Sequence, residues 1–162
     1  MSEIVRILDQ MHRAWDGDAW HGPPLHQLVA DVSAMTASAH PIRGVHSIAE
    51  IVLHVAFWKD VGRRRLAGEV VLPSEEDAWP EPNGPGETGW LDALSLLRAR
   101  HLELTEAVAC LAEDRLHDEI TGRERSYPAY VLIHGLIQHD LYHAGQIAVL
   151  KKAAGGVDLR TG

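Results

Sequence analysis

The stretch from Tyr127 to Lys152 constrains the fold more than any other part of the chain. Over 26 residues its apolar side chains recur at helical rather than alternate spacing, which reads as one long helix. Ser126 is placed to cap it, and Pro128 sits in the first turn, where a missing N–H costs little. Lys151 and Lys152 complement the negative end of the helix dipole, and Gly155-Gly156 stops the helix. One face carries Leu132, Leu136, Gln146 and Leu150 together with His139 and His143. These two histidines stand one turn, roughly 6 Å, apart. Imidazoles at that spacing can converge on one metal ion, with Zn–N distances of about 2.0–2.1 Å. Two histidines on a core-directed stripe demand an explanation.

Three further helices are expected. Ile4, Ile7, Leu8, Met11 and Trp15 mark the first, over residues 2–16. Ser47-Ile48-Ala49-Glu50 is a capping box opening the second, which runs to Ala67 with Gly68 as its stop. Its stripe of Ile51, Val52, Val55, Trp58, Val61 and Leu66 includes His54, while Arg63, Arg64 and Arg65 near its end read as solvated. Thr88 to Leu111 forms the third, with Trp90, Leu91, Leu94, Leu97, Leu102, Leu104 and Val108 as core. Shorter helical turns are expected at Leu25–Val32, after Thr36, and between Ala112 and Thr121. No convincing strand pattern is present. Residues 68–89 are acidic and rich in proline and glycine, forming a crossover that Trp79 pins to the body. That crossover is long enough to span the bundle, so the helices it joins need not be antiparallel. The expected fold is an all-α four-helix bundle, a single domain over residues 1–162.

With 46% hydrophobic residues, 162 residues can bury a sizeable core. A net charge of −8 argues against nucleic acid or anionic lipid as partner. Cys110, the single cysteine, excludes an internal disulfide and reads as an inert core thiol. Met1 to Leu8 lack the pattern of a signal peptide, and no apolar run reaches the ~18 residues of a membrane helix, so a cytoplasmic protein is expected.

The third metal ligand has to come from another element, and His54 is the candidate. It lies roughly 10 Å from the start of the second helix, and His139 and His143 lie roughly 15–20 Å from the end of the fourth. If the two helices are antiparallel neighbours, axes 8–10 Å apart let one ion bridge all three rings. Three neutral imidazoles leave an open position, as in catalytic zinc sites. Neutral imidazoles also accept nickel, copper or iron. Asp140 invites comparison with the HExxH metalloprotease helix, but aspartate reaches less far than the glutamate that motif needs.

The segments Gly44-Val-His-Ser-Ile-Ala-Glu-Ile-Val-Leu-His54-Val-Ala-Phe-Trp58 and His134-Gly-Leu-Ile-Gln-His139-Asp-Leu-Tyr-His143-Ala-Gly-Gln-Ile resemble the DinB-like (YfiT-like) metalloprotein superfamily. The likeness extends over most of the chain, including the Trp20-His21-Gly22-Pro23 turn, without departure at the three ligand positions. It implies an up-down-down-up bundle, a homodimer, and a divalent transition metal on His54, His139 and His143, zinc first and nickel as the alternative. It also implies a low-molecular-weight thiol as cosubstrate, activated for transferase or isomerase chemistry.

Around the triad, Asp140 and Tyr142 are candidate catalytic groups, Tyr142 as a proton donor, and His21 and His46 candidates for the rim of the site. Asp140 and Gln146 could also orient ligand imidazoles. His134 points to another face and suits packing or a dimer contact, and Trp58 suits a wall that keeps the site dry. Three functions fit: a metal-dependent transferase or hydrolase acting on a small molecule, a non-catalytic metal-binding dimeric module or sensor, and a metal-free bundle with buried histidines.

Overall fold

In the computed structural model, which describes residues 1–155, the chain forms α1 (Glu3–Trp15), α2 (Leu25–Ala30), α3 (Ala34–Ser38), α4 (Ile48–Leu66) and α5 (Gly86–Ala109). A 3₁₀ turn (Glu113–His117), β1 (Glu119–Thr121), β2 (Ser126–Pro128) and α6 (Ala129–Ala154) follow. The capping box is complete: the Ser47 hydroxyl accepts from the Glu50 amide at 3.2 Å, and the Glu50 carboxylate accepts from the Ser47 amide at 2.6 Å. Gly68, at φ +90°, ends α4 in the left-handed conformation that favours glycine. Gly155 caps α6; Gly156, expected to share that role, lies outside the described residues.

Two apolar clusters fix the direction of every long helix. One joins Trp15 at the end of α1, Ile48 to Ala56 at the start of α4, Trp90 to Leu97 at the start of α5, and Ala144 to Leu150 late in α6. The other joins Ile4 to Ala14 of α1, Leu66 at the end of α4, Leu104 and Val108 late in α5, and Ala129 to Ile137 early in α6. Helices α1 and α6 therefore run one way and α4 and α5 the other, the expected up-down-down-up order. Parallel α4 and α5 require a connection along the bundle, which residues 67–85 supply. Where α4 meets antiparallel α6, a β-carbon on Gly62 would run into Leu136, so glycine permits the close approach.

The start of α6 corrects the sequence reading. Ser126 does not cap a helix; Ser126–Pro128 pairs antiparallel with Glu119–Thr121, placing Ile120 opposite Tyr127, and Pro128 is the N-cap. A residue preceding proline avoids the α region, so Tyr127 stays extended, and Pro128 caps without a donor to lose. The expectation of no strand fails for these two short segments, because three-residue strands are too brief to show alternation.

Helix α5 buries Trp90, Ala93, Leu97, His101, Leu104 and Val108 at spacings of three and four. Leu91 and Leu102, expected in the core, lie off that stripe and are exposed. Cys110 is exposed as well, contrary to the core thiol expected, because it stands two residues past buried Val108 and so faces away. Ser33, rather than Thr36, caps α3, and Thr36 is the residue whose amide it accepts from.

Candidate metal centre

Helix α4 presents His54 and helix α6 presents His139 and His143, and antiparallel packing brings the three rings to one height. Each offers a ring nitrogen, and the three nitrogens lie within 4.8 Å of one another. Nε2 of His139 is 3.1 Å from Nε2 of His54 and 3.1 Å from Nε2 of His143. The tautomers follow from the far sides of the rings. His54 Nδ1 lies 2.7 Å from the carbonyl oxygen of Ala78, which can only accept, so the proton sits on Nδ1 and the Nε2 lone pair faces the cluster. His143 Nδ1 likewise donates to the Gln146 side-chain oxygen at 2.7 Å. His139 Nε2 can donate to only one neighbour, so at least one Nε2–Nε2 contact sets lone pair against lone pair. That electron-rich point suits a cation, and three neutral imidazoles, two of them held by outer carbonyl partners, suit a divalent transition metal.

The electrostatics keep these rings neutral. Burial pushes His54 down to about 4 and His139 down to about 3, with the neighbouring imidazoles adding to the latter. His143 is lowered by burial too, although Gln146 and Asp140 oppose the shift. Neutral imidazole is the form that binds metal, so the site needs no deprotonation near neutral pH.

The crossover contributes directly. Besides the Ala78 carbonyl, its Trp79 ring stacks on His54 at 3.8 Å and on His46 at 3.6 Å, sandwiched between the two. His46 therefore touches the site through Trp79 alone and lines neither cavity that reaches the triad. His21 is exposed in the turn after α1 and lines neither cavity either. Tyr142 stands edge-on to His143 at 5.0 Å but is 65% exposed, pointing outward along α6. His134 is half-buried beside Tyr130, with ring centroids 4.3 Å apart.

Asp140 is buried, and its carboxylate is engaged by Lys59 of α4 rather than by a triad imidazole. Lys59, only 2% exposed, also approaches His101 of α5 at 3.5 Å, and His101 stacks on Trp15 at 4.1 Å. Sequence reasoning missed Lys59. The signal was its place on the buried stripe Val55, Lys59, Gly62, Leu66, where a lysine demands a partner. It also missed Arg65, read as solvated yet buried against Tyr127 and Val71.

Two cavities flank the triad and share Trp58, Arg65 and Arg123 as lining. The larger, about 650 Å³, opens on His139 between α4, the β1–β2 turn and α6; the smaller, about 290 Å³, opens on His54 beneath the crossover. Among the described residues no helix is long and apolar enough to cross a membrane.

Fold and site together define a class: helical bundles with a three-histidine centre able to hold a metal ion, set between antiparallel helices. The chain belongs to the DinB superfamily, whose family model matches residues 20–147. It is similar in fold to a conserved protein from Enterococcus faecalis known from a crystal structure, with 16% sequence identity, a TM-score of 0.71, and coverage of 97% of this chain and 99% of that one. No curated protein matches the sequence.

Proposed function

We propose that this chain is a metal-dependent enzyme acting on a small molecule, with His54, His139 and His143 holding one divalent ion, zinc first and nickel as the alternative. The observation that supports this reading is the convergence of three neutral imidazoles beside a cavity of about 650 Å³, room for a small substrate. An ion held there would lower the pKa of a coordinated thiol or water towards neutrality, supplying a nucleophile for transfer or hydrolysis.

The chain's own residues prepare the site. Ala78 and Gln146 fix two rings with Nε2 inward. Trp79 and Trp58 flank His54, one by stacking and one edge-on at 6.3 Å, and wall the smaller cavity beside it. Asp140 is committed to Lys59, so proton transfer falls to groups that face the cavity or to the substrate itself. We assign a homodimer to the outward face of α6, where Val131, Gly135, Gln138, Tyr142, Gly145 and Val149 recur every three or four residues and are exposed.

The reaction is tested by mixing zinc-loaded protein with glutathione-like and sugar-linked thiols and an electrophilic dye. Thiol consumption is expected to be faster than with His54→Ala. Equal rates would remove thiol transfer from the proposal.

A further inference from the structure

The cleft beside the triad carries a cation without a counter-ion. Arg65 is 7% exposed and lines both cavities. Its Nε and Nη2 donate to the Val71 carbonyl at 3.1 and 2.6 Å, its Nη1 donates to the Tyr127 hydroxyl at 2.7 Å, and its guanidinium carbon lies 5.9 Å from the Trp58 ring centroid. All these partners are neutral. Among the described residues no carboxylate lies within ion-pair range of Arg65, although the chain has 23 Asp plus Glu against 15 Lys plus Arg. The contrast with Lys59 is direct, because that buried cation is paired with Asp140. A buried charge left without an opposite charge is costly, and folds ordinarily pair it.

Nor is Arg65 alone. Arg123 and Arg125, in the turn between β1 and β2, line the larger cavity beside it, with Glu124 the one acid there. Arg123 gives one bond to the Pro73 carbonyl at 2.8 Å, which holds it over the cleft. Of the five N–H donors of Arg65, three are used by Val71 and Tyr127, leaving one on each Nη. Two N–H groups on a planar guanidinium match the two oxygens of a carboxylate. Between this end and His139 the walls are Trp58, Val131, Leu132 and Leu136, apolar apart from the Trp58 indole N–H.

We infer that Arg65 seats a carboxylate, so that the substrate class is a small carboxylic acid whose apolar body carries its reacting end to the histidine cluster. This rests on the metal-enzyme reading above and specifies the substrate of the same cleft. Arg123 and Arg125 draw the anion in, and the neutral Tyr127 and Val71 hold Arg65 in place.

The test compares binding of 4-phenylbutyrate, its neutral amide 4-phenylbutyramide, and 3-phenylpropyl phosphate to the zinc-loaded full chain by calorimetry, with zinc content measured in every sample. Wild type is expected to bind the carboxylate about tenfold more tightly than the amide, with the preference shrinking as salt is raised. Arg65→Gln abolishes the preference while zinc is retained, and Arg65→Lys restores part of it. Should Arg65→Gln fail to fold, exposed Arg123→Gln decides: a loss of about threefold in carboxylate affinity supports the seat, and no change together with salt-independent binding overturns it. Equal binding of acid and amide, or a preference that survives Arg65→Gln because the acid sits on the metal, overturns the inference and leaves the metal reading intact. Tighter binding of the phosphate overturns the carboxylate assignment. A chain that holds no zinc yet keeps an Arg65-dependent preference retains the anion seat and loses the metal reading.

Discussion

Removing one member of the Lys59–Asp140 pair should unfold much of what holds α4 against α6. Lys59 is 2% exposed and Asp140 4%, and the two are in direct contact five residues past His54 on one helix and one residue past His139 on the other. Burial pushes the Asp140 carboxyl upward while the Lys59 ammonium opposes it. Breaking such a pair by deleting one charge costs about 3–5 kcal/mol, because the survivor stays buried. For a chain of this size that corresponds to roughly 6–20 °C in Tm. Asp140→Leu and Lys59→Met should each show this loss, and the double substitution should recover most of it, since well-packed apolar groups often replace a buried pair at little cost. Urea unfolding at fixed zinc content is the assay, because bound metal itself shifts stability. The double variant should still hold zinc. Single losses below about 1 kcal/mol, or costs that simply add in the double variant, would refute the reasoning.

Other outcomes follow from the same contacts. Gln146→Leu removes the acceptor on His143 Nδ1 and should lower zinc affinity about 10- to 100-fold with little change in stability, as read by competition with a chromogenic chelator. In metal-free protein His54 titrates at about 4 and His101 and His139 at about 3, below the ordinary 6.5, so between these values the unfolded chain binds protons that the folded chain does not. Stability should therefore fall as pH drops from 6.5 towards 4, on the order of 1–2 kcal/mol per histidine by pH 5, and urea midpoints that match at pH 5 and 7 would contradict this. Exposed Cys110 should react with a thiol reagent in the native state, and Cys110→Ser should change stability by less than about 0.5 kcal/mol.

The bundle and the triad are legible in the sequence because both rest on local signals. A capping box, a glycine stop and apolar residues at helical spacing place α4 to within a residue, and four-residue spacing sets His139 over His143. The pairing with His54 needs only the heights of two antiparallel helices. What stays hidden depends on contacts made outside the local helix. Arg65 looks like one of three exposed arginines until Val71 and Tyr127 close over it. Asp140 reads as a catalytic group until Lys59, on another helix, takes its carboxylate. Ser126 satisfies the rules for a helix cap, yet Pro128 and the partner strand at Ile120 override them. The third helix misleads for a different reason: with leucines on every side, its buried stripe cannot be told from its exposed ones by composition.

The most direct measurement is the zinc content of the purified chain beside that of His54→Ala, His139→Ala and His143→Ala, each checked for helical circular dichroism. One ion per wild-type chain, lost in all three folded variants, is the prediction. A wild-type chain without metal, or three variants that keep it, would show that these imidazoles meet for some other reason.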